Sequence, residues 1–341
     1  MTTAAPSITD EEWERLRDWL REHGVAADQL SERTLLSGGT QNLMMRFTAA
    51  DRTLVVRIVP AHDSFTAQKT VERELGLLRA LAHSDLPLPT LIGGEADVTT
   101  MGHPFYVTEY VEGHNVAEEV PLSIRTDPLV RAHLAGEVGR VAAELAGLDV
   151  YALGLAGLSR TDGWHERQAS RWLRLLESHG AAGDYYPTIT PGCQLLSRWL
   201  GAHPPGPRIM GLLHGDFHMG NLLFSESGDL TAIVDWELAS VGDPLLDLAH
   251  LLILWPGRLA ALPVAAGWSD PGQEPILEAY QAAGCSTEGL PWFIVLASYR
   301  MAVLLEGTHG RARQGLADPA VGQRLHSIAV ELVERAVELA T

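Results

Sequence analysis

The sequence is poor in cysteine, carries no excess of basic residues and has no long uncharged apolar segment. Its two cysteines, Cys193 and Cys285, are far apart. They form neither a disulfide framework nor a zinc pattern, and they fit a reducing cytoplasm. The longest apolar run, Trp292 to Leu305, is too short to span a bilayer and contains Arg300. The acidic N-terminus does not resemble a signal peptide. We therefore expect a cytoplasmic protein without a membrane segment.

The charge balance is acidic. The chain of 341 residues has 25 Lys and Arg against 43 Asp and Glu, a net charge of −18. Such a surface repels phosphate backbones, which argues against nucleic acid as a partner. The acidity favours either solubility or a cationic substrate. No repeat or low-complexity tract is present, and no pattern specifies an oligomeric state.

The first third of the sequence combines one helix pattern with short strand patterns. Thr9 to Glu12 is a capping box that opens an amphipathic helix. Leu43 to Thr48 and Thr53 to Val59 are typical of two antiparallel strands joined near Asp51. Lys69 to Ala82 has helical spacing, and Pro104 to Val111 is strand-like. These elements predict a small lobe built on an antiparallel sheet.

Beyond Gly113 the pattern is mainly helical. The predicted helices cover 129–148, 164–179, 275–283, 292–305 and 321–339. One strand-like segment, Leu222 to Asp235, lies between these helices. A turn at Ser225 to Asp229 divides it. We therefore predict an α+β chain of two lobes, with an N-terminal helical segment (1–30), an N-lobe (31–113) and a C-lobe (114–341).

The segment from His214 to Asn221 has the residues that phosphoryl transfer requires. Asp216 and Asn221 have the spacing of the catalytic loop of protein kinases, and Asp235 follows after a short hairpin. One carboxylate can orient the attacking hydroxyl, and hard oxygen ligands can hold Mg²⁺ against the phosphates. The sequence therefore predicts a phosphotransferase.

Two simpler explanations exist for the polar residues of this segment. His, Asp and Asn in a loop often only cap helices and satisfy turns, although the combined order and spacing argue against this here. His214 and His218 could bind zinc, but the glycines between and around them do not suit a zinc helix, and no Glu follows the first His as a metalloprotease needs.

These motifs resemble the aminoglycoside phosphotransferase and choline kinase superfamily. The resemblance rests on 214–221, on Asp235-Trp-Glu and on Gly242-Asp-Pro-Leu-Leu-Asp-Leu-Ala249, and it extends from about Leu35 onward. Within it, the chain is most similar to the broad phosphotransferase enzyme family, including the kinase-like domains that accompany acyl-CoA dehydrogenases. The resemblance implies a bilobal protein-kinase-like fold with a small antiparallel-sheet N-lobe and a larger, mainly helical C-lobe.

The resemblance also implies roles for individual residues. Asp216 would be the catalytic residue, Asn221 and Asp235 the Mg²⁺ ligands, and Asp243, Asp247, His214 and His218 structural. The ATP-binding residues would be Ser37, Gly38, Gly39, Thr40 and Asn42 of the glycine-rich loop, Arg57 with its partner Glu74, and the backbone of Glu109, Tyr110 and Val111.

Two features depart from the family pattern. Arg57 stands where the phosphate-binding Lys is expected; arginine can hold phosphate oxygens but is not equivalent to lysine. The loop at 37–42 has one glycine pair instead of the full kinase motif, which is a weak signal alone.

The acceptor is expected to be a hydroxyl group of a small molecule. Candidate contacts, each of which could equally be a packing or ion-pair residue, are Trp164, Arg167, Trp172, Arg300, Glu306 and Arg311. The alternative to a cytoplasmic, ATP- and Mg²⁺-dependent kinase is a catalytically weak or inactive nucleotide-binding module that regulates a partner.

Overall fold

A computed structural model describes residues 8–36, 43–59, 64–180, 185–206 and 208–341. The chain divides into two compact units. Unit 1 comprises Met1–Glu112 and Ala232–Glu237, and unit 2 comprises Gly113–Thr231 and Leu238–Thr341. The lobe boundaries drawn from the sequence stay predictions.

Unit 1 is built on a five-stranded antiparallel sheet. Its strands are β1 (Leu30–Leu35), β2 (Leu43–Ala49), β3 (Arg52–Ile58), β4 (Leu91–Glu95) and β5 (Phe105–Glu109), in the order β1-β2-β3-β5-β4. The predicted β2–β3 hairpin is present, with Ala50 in the turn at φ 54°.

Two helices accompany this sheet. Helix α1 (Asp10–Glu22) begins with the predicted capping box between Thr9 and Glu12. Its Trp13, Leu16 and Trp19 join a buried cluster with Phe47 and Phe105 of the sheet. Because this face is apolar, α1 belongs to the core of unit 1. Helix α2 (Ser64–Leu81) supplies Glu74, which is buried.

Unit 2 is mainly helical. Its helices are α3 (Leu122–Thr126), α4 (Pro128–Ala146), α5 (Trp164–Gly180), α6 (Thr190–Ala202), α7 (Leu245–Ile253), α8 (Glu274–Ala282), α9 (Leu290–Arg313) and α10 (Pro319–Ala340). Short strands β6 (Gly211–Leu213) and β9 (Ser240–Gly242) pair with each other. Strand β7 (Leu222–Phe224) pairs with β8 (Leu230–Ile233), of which Ala232 and Ile233 are assigned to unit 1. The predicted α+β class is confirmed.

Helix α9 lies at the centre of the helical packing. It packs against α5, α6, α7 and α10. Of the helices in the described part of the chain, it alone is long and apolar enough to cross a membrane, but 72% of its most apolar window is buried inside the protein. A core helix has the same composition, so this length and hydropathy are weak evidence for a membrane span.

Candidate functional site

Asp216 follows β6 and receives hydrogen bonds from three side chains. Nε2 of His250, on α7, lies 3.1 Å from Oδ1 of Asp216. The other carboxylate oxygen lies 3.2 Å from Nδ2 of Asn221 and 3.3 Å from Nε2 of His218. The loop between β6 and β7 therefore presents a carboxylate whose orientation is fixed from two sides.

These donors also determine the charge of Asp216. Burial alone would raise the pKa of this carboxyl, but the hydrogen bonds and charges of His218 and His250 hold the pKa far below its usual range. Hydrogen bonds to the ionised form favour that form. Asp216 is therefore a carboxylate throughout the physiological pH range and a weak base.

The backbone of the loop is held from α7. The buried carboxylate of Asp247 accepts the backbone N–H groups of His214, at 2.6 Å, and Gly215, at 3.0 Å. The Nδ1 atom of His214 accepts the N–H of Asp216 at 3.2 Å. These contacts agree with the structural roles that the resemblance implies for Asp247 and His214.

Asn221 is oriented so that its carbonyl oxygen remains available. It ends a 3₁₀ turn, Met219–Asn221. Its Nδ2 donates to the backbone oxygen of Asp216, at 2.9 Å, as well as to the carboxylate. In the described part of the chain no donor contacts Oδ1 of Asn221. An amide oxygen held this way is a suitable ligand for Mg²⁺.

Asp235 lies in unit 1 beside Arg57. It adopts φ 63°, an uncommon backbone conformation that aspartate tolerates better than most residues. Its Oδ1 is 3.3 Å from Nη1 of Arg57, and its side chain is 41% exposed. Among the described residues, none contacts the second carboxylate oxygen, which is a hard ligand suited to Mg²⁺. Asn221 and Asp235 thus each offer an oxygen whose chemistry suits the ion that the sequence predicts.

Arg57 is the buried centre of a mainly acidic cluster, which we call the Arg57 cluster (Arg57, Glu74, Tyr106, Asp235 and Glu237). Its Nη1 lies 3.1 Å from Glu74 and 3.2 Å from the Tyr106 hydroxyl, and its Nη2 lies 2.9 Å from Glu237. The side chain is only 3% exposed. The predicted pairing with Glu74 is present, but both terminal nitrogens of Arg57 already contact carboxylates. Its role as a phosphate ligand stays a prediction.

The charges in this cluster influence one another. Burial would lower the pKa of Arg57, but Tyr106 and the neighbouring carboxylates raise it, so the guanidinium stays charged. Burial raises the pKa of Glu74 although Arg57 acts in the opposite direction. One cation therefore faces three carboxylates, so the cluster has a surplus of acidic groups.

Of the three backbone N–H groups predicted to face the adenine, two already donate hydrogen bonds within the protein. The N–H of Glu109 donates to Thr90, at 2.8 Å, and the N–H of Tyr110 donates to Thr53, at 3.0 Å. The Glu109 side chain pairs with Arg52 at 2.7 Å. Within the described ranges the N–H of Val111 makes no hydrogen bond, so it is the available donor of the three.

The glycine-rich loop lies outside the described residues. This covers the predictions for Ser37, Gly38, Gly39, Thr40 and Asn42. They stay predictions.

Most candidate acceptor residues are buried in unit 2. Trp164 and Trp172 pack inside the protein, and Trp164 contacts Gly242 closely. Glu306 is fully buried and binds Tyr185 and His326. Arg300 is buried and donates to the backbone oxygen of Gly215. These four positions are packing or ion-pair residues in this structure, whereas Arg167 is partly exposed and Arg311 is exposed.

Clusters of metal-ligating side chains are absent from the described part of the chain. Within residues 8–36, 43–59, 64–180, 185–206 and 208–341, no group of three His, Cys, Asp or Glu side chains is arranged to hold a metal ion. The predicted Mg²⁺ ligands are one asparagine and one aspartate. A pair of this kind does not make up such a group of three.

The comparison with known families now identifies the chain. The model of the phosphotransferase enzyme family matches residues 32–293. The chain belongs to this family. The family and its solved structures confirm the predicted superfamily and the bilobal kinase-like fold class.

One relative of this phosphotransferase is acyl-CoA dehydrogenase family member 10 of Mus musculus. It is 27% identical over 89% of the chain. The chain spans between 28% and 40% of the length of the curated relatives it matches.

Two solved structures are similar. A Ralstonia eutropha chain assigned to the aminoglycoside phosphotransferases is 26% identical, with a TM-score of 0.76 over 96% of this chain and 98% of that one. The ADP-bound aminoglycoside phosphotransferase APH(2'')-Ib is 16% identical, with a TM-score of 0.62 over 95% and 98%. The second likeness concerns the fold alone.

Sequence reasoning missed three residues next to the predicted site. Glu237 stands in the quoted Asp235-Trp-Glu motif, so its position was visible although its role was not. His250 directly follows Ala249, the last residue of the motif at 242–249. Arg300 was predicted to contact the acceptor, whereas it contacts the Asp216 loop through the Gly215 carbonyl. An ionisable residue within an apolar helix was the available signal for both.

Proposed function

We propose that this chain transfers the γ-phosphoryl group of ATP, with Mg²⁺, to a hydroxyl group of a small molecule in the cytoplasm. The observation that supports this most is Asp216. Its carboxylate is kept ionised and oriented by His218, His250 and Asn221. A group that only capped a turn would not need three side-chain donors.

Asp216 orients the attacking hydroxyl by accepting its hydrogen bond. The substrate oxygen forms a bond to the γ-phosphorus while the bond from that phosphorus to the β–γ bridging oxygen breaks, and ADP leaves. Because the pKa of Asp216 is so low, the carboxylate takes the hydroxyl proton only late, once bond formation to phosphorus has made it acidic. The proton then passes to solvent.

Asn221 and Asp235 would be the ligands of Mg²⁺, which would neutralise charge on the phosphates. The oxygens that remain available on both side chains support this assignment. The Val111 N–H would bind the adenine edge, and the role of residues 37–42 at the phosphates stays a prediction from the sequence. Nucleotide binding also draws support from the ADP-bound likeness.

The alternative is a nucleotide-binding module without catalysis, and the engaged guanidinium of Arg57 favours it. Composition weakens that argument. Lys69 is the single lysine among the 25 basic residues of the chain. Arginine in place of lysine is therefore the rule throughout this sequence and is no sign of lost function at position 57.

The test is a phosphorylation screen with labelled ATP and Mg²⁺. The acceptor panel contains aminoglycosides, macrolides, amino alcohols, sugars and hydroxyacyl-CoAs, the last because of the acyl-CoA dehydrogenase relatives. Asp216→Asn removes the carboxylate at nearly constant shape and should reduce transfer at least about 10³-fold. The matched control Asp28→Asn changes a fully exposed aspartate and should act like wild type. Full turnover by Asp216→Asn on an accepted substrate would contradict the proposal, and Mg²⁺-dependent nucleotide binding without hydrolysis or transfer would favour the module.

A further inference from the structure

His250 links the catalytic loop to the helical core. It is completely buried on α7. Its Nε2 faces Oδ1 of Asp216 at 3.1 Å, and its Nδ1 faces Nη1 of Arg300 at 3.5 Å. The imidazole therefore lies between a carboxylate and a guanidinium.

This arrangement determines where the proton of His250 lies. Arginine has donors only, so the Nδ1 atom that faces it must offer a lone pair. The proton of the neutral ring is then on Nε2, where it can be donated to Asp216. Burial lowers the pKa of His250 to about 4, so the ring is neutral at physiological pH. A neutral ring in the opposite tautomer would turn a lone pair toward the carboxylate.

Arg300 is itself fixed in position. Its Nη2 donates to the backbone oxygen of Gly215, and its guanidinium lies 5.6 Å from the centre of the Trp172 ring. The charged groups that act on it are Asp216, Asp247 and Arg171. A buried charge is costly unless it is paired or hydrogen-bonded. The Gly215 carbonyl of the Asp216 loop accepts from one terminal nitrogen of Arg300, and the other terminal nitrogen faces His250.

We propose that His250 and Arg300 are positioning residues for phosphoryl transfer, with Arg300 selecting the His250 tautomer whose Nε2–H holds the Asp216 carboxylate in its reactive orientation. This rests on the proposed function, because positioning is meaningful only if Asp216 takes part in the reaction. His218 makes a parallel contact: its Nδ1 accepts the N–H of Gly220 at 3.0 Å, and its Nε2 lies 3.3 Å from Asp216.

The first experiment compares His250→Gln with His250→Leu. The amide nitrogen of Gln can occupy the place of Nε2 and donate to Asp216, whereas Leu fills similar space without a donor. We expect His250→Leu to reduce kcat of Mg²⁺-dependent ATP turnover about 10- to 100-fold, with KM for ATP changed less than about twofold, as for other residues that orient a reacting group through hydrogen bonds. His250→Gln should recover most of the loss.

The matched control is His165→Leu. His165 is also a largely buried histidine of unit 2 bonded to an aspartate, with Nε2 3.0 Å from Asp243, but it does not contact Asp216. Its variant should lower stability without reducing kcat of the folded fraction. Equal impairment of the Leu and Gln variants at position 250, or a kcat for His250→Leu within twofold of wild type, would overturn the inference.

A second measurement needs no turnover. The ¹⁵N chemical shifts of the His250 ring report its tautomer in the wild-type protein, with His250→Gln used for assignment. We expect the proton on Nε2 in wild type and a loss of this preference in Arg300→Met. A proton on Nδ1 in wild type overturns the inference whether or not Arg300→Met folds. Absence of all turnover by wild type would instead count against the proposed function. The ¹⁵N measurement would still show whether His250 has the tautomer that the inference requires.

Discussion

At the scale of single residues, Arg57 shows how one side chain can serve several acids. A planar guanidinium has donors that point in different directions, so Nη1 and Nη2 reach separate carboxylates in the Arg57 cluster. Through this fork, Arg57 holds Asp235 beside Glu237. In the proposed function, Arg57 would therefore contribute to Mg²⁺ binding by orienting the ligand Asp235.

Arg57→Lys should therefore be harmful although it keeps the charge. A single ammonium cannot contact Glu74, Asp235 and Glu237 together. We expect a loss of about 1 to 3 kcal/mol in unfolding free energy and a KM for Mg²⁺–ATP raised about tenfold. Denaturant unfolding and steady-state ATP turnover measure these. The control Arg52→Lys alters a pair with Glu109 that is more than one third exposed, and should cost no more than about 1 kcal/mol. Equal behaviour of the two variants would contradict this role for Arg57.

His250 gives a stability prediction with a definite sign. Its pKa is about 4 in the folded protein against an ordinary value of 6.5. As pH falls below 6.5, the unfolded chain binds a proton that folded His250 does not, so stability decreases until the folded ring protonates near pH 4. The full effect is at most about 3 kcal/mol.

Urea unfolding between pH 7 and pH 4 tests this. His250→Gln cannot titrate, so it should lose less stability over this range than wild type. A parallel decline of both proteins would show that folded His250 titrates normally. His165→Gln is the control for removing a different histidine.

At the scale of elements, the Asp216 loop depends on one backbone conformation. Gly215 has φ 84°, and a Cβ there would lie 2.2 Å from the backbone oxygen of Leu238. Both facts demand glycine. In this conformation the carboxylate of Asp247 accepts the N–H groups of His214 and Gly215.

Gly215→Ala should cost about 2 kcal/mol or more of stability and displace Asp216. Unfolding free energy and ATP turnover measure the two effects. Gly136→Ala is a matched control, since Gly136 lies within α4 with open space around it and alanine favours helices. That change should be neutral or stabilising by up to about 1 kcal/mol. A neutral Gly215→Ala would show that the loop tolerates another backbone path.

Long patterned elements were predictable from the sequence, and short or glycine-containing ones were not. The capping box of α1 and the β2–β3 hairpin follow from local side-chain chemistry. Strand β1 was missed because all but its first residue are polar or exposed at the sheet edge. Strand β4 contains Gly93-Gly94, and α6 begins Thr-Pro-Gly, so both resemble turns. Tertiary packing forms these three elements.

At the scale of the whole molecule, the residues of the proposed site are divided between two units. Asp216, Asn221, His250 and Arg300 belong to unit 2, whereas Asp235 lies in a segment of unit 1 that unit 2 residues flank on both sides in the sequence. The motif spacing predicted that Asp216 and Asn221 lie in one loop, and they do contact each other there, because such spacing reflects local structure. Their functional roles stay predictions. The spacing could not predict that Arg57 would contact Asp235, since that contact joins residues far apart in sequence.

Binding of Mg²⁺–ATP to the whole chain should separate the roles of the two aspartates. A ligand that binds only the folded protein stabilises it by about 2.7 kcal/mol at one hundred times its Kd. We expect Mg²⁺–ATP to raise the Tm of wild type and of Asp216→Asn, which keeps the metal ligands. Asp235→Asn should show little rise, because it removes a charged ligand while asparagine still tolerates the φ of 63° at this position. Thermal unfolding with ATP in the presence of Mg²⁺ or EDTA measures all three proteins. If Asp235→Asn is stabilised as much as wild type, Asp235 is not the metal ligand, since binding energy that survives loss of its charge must come from other groups.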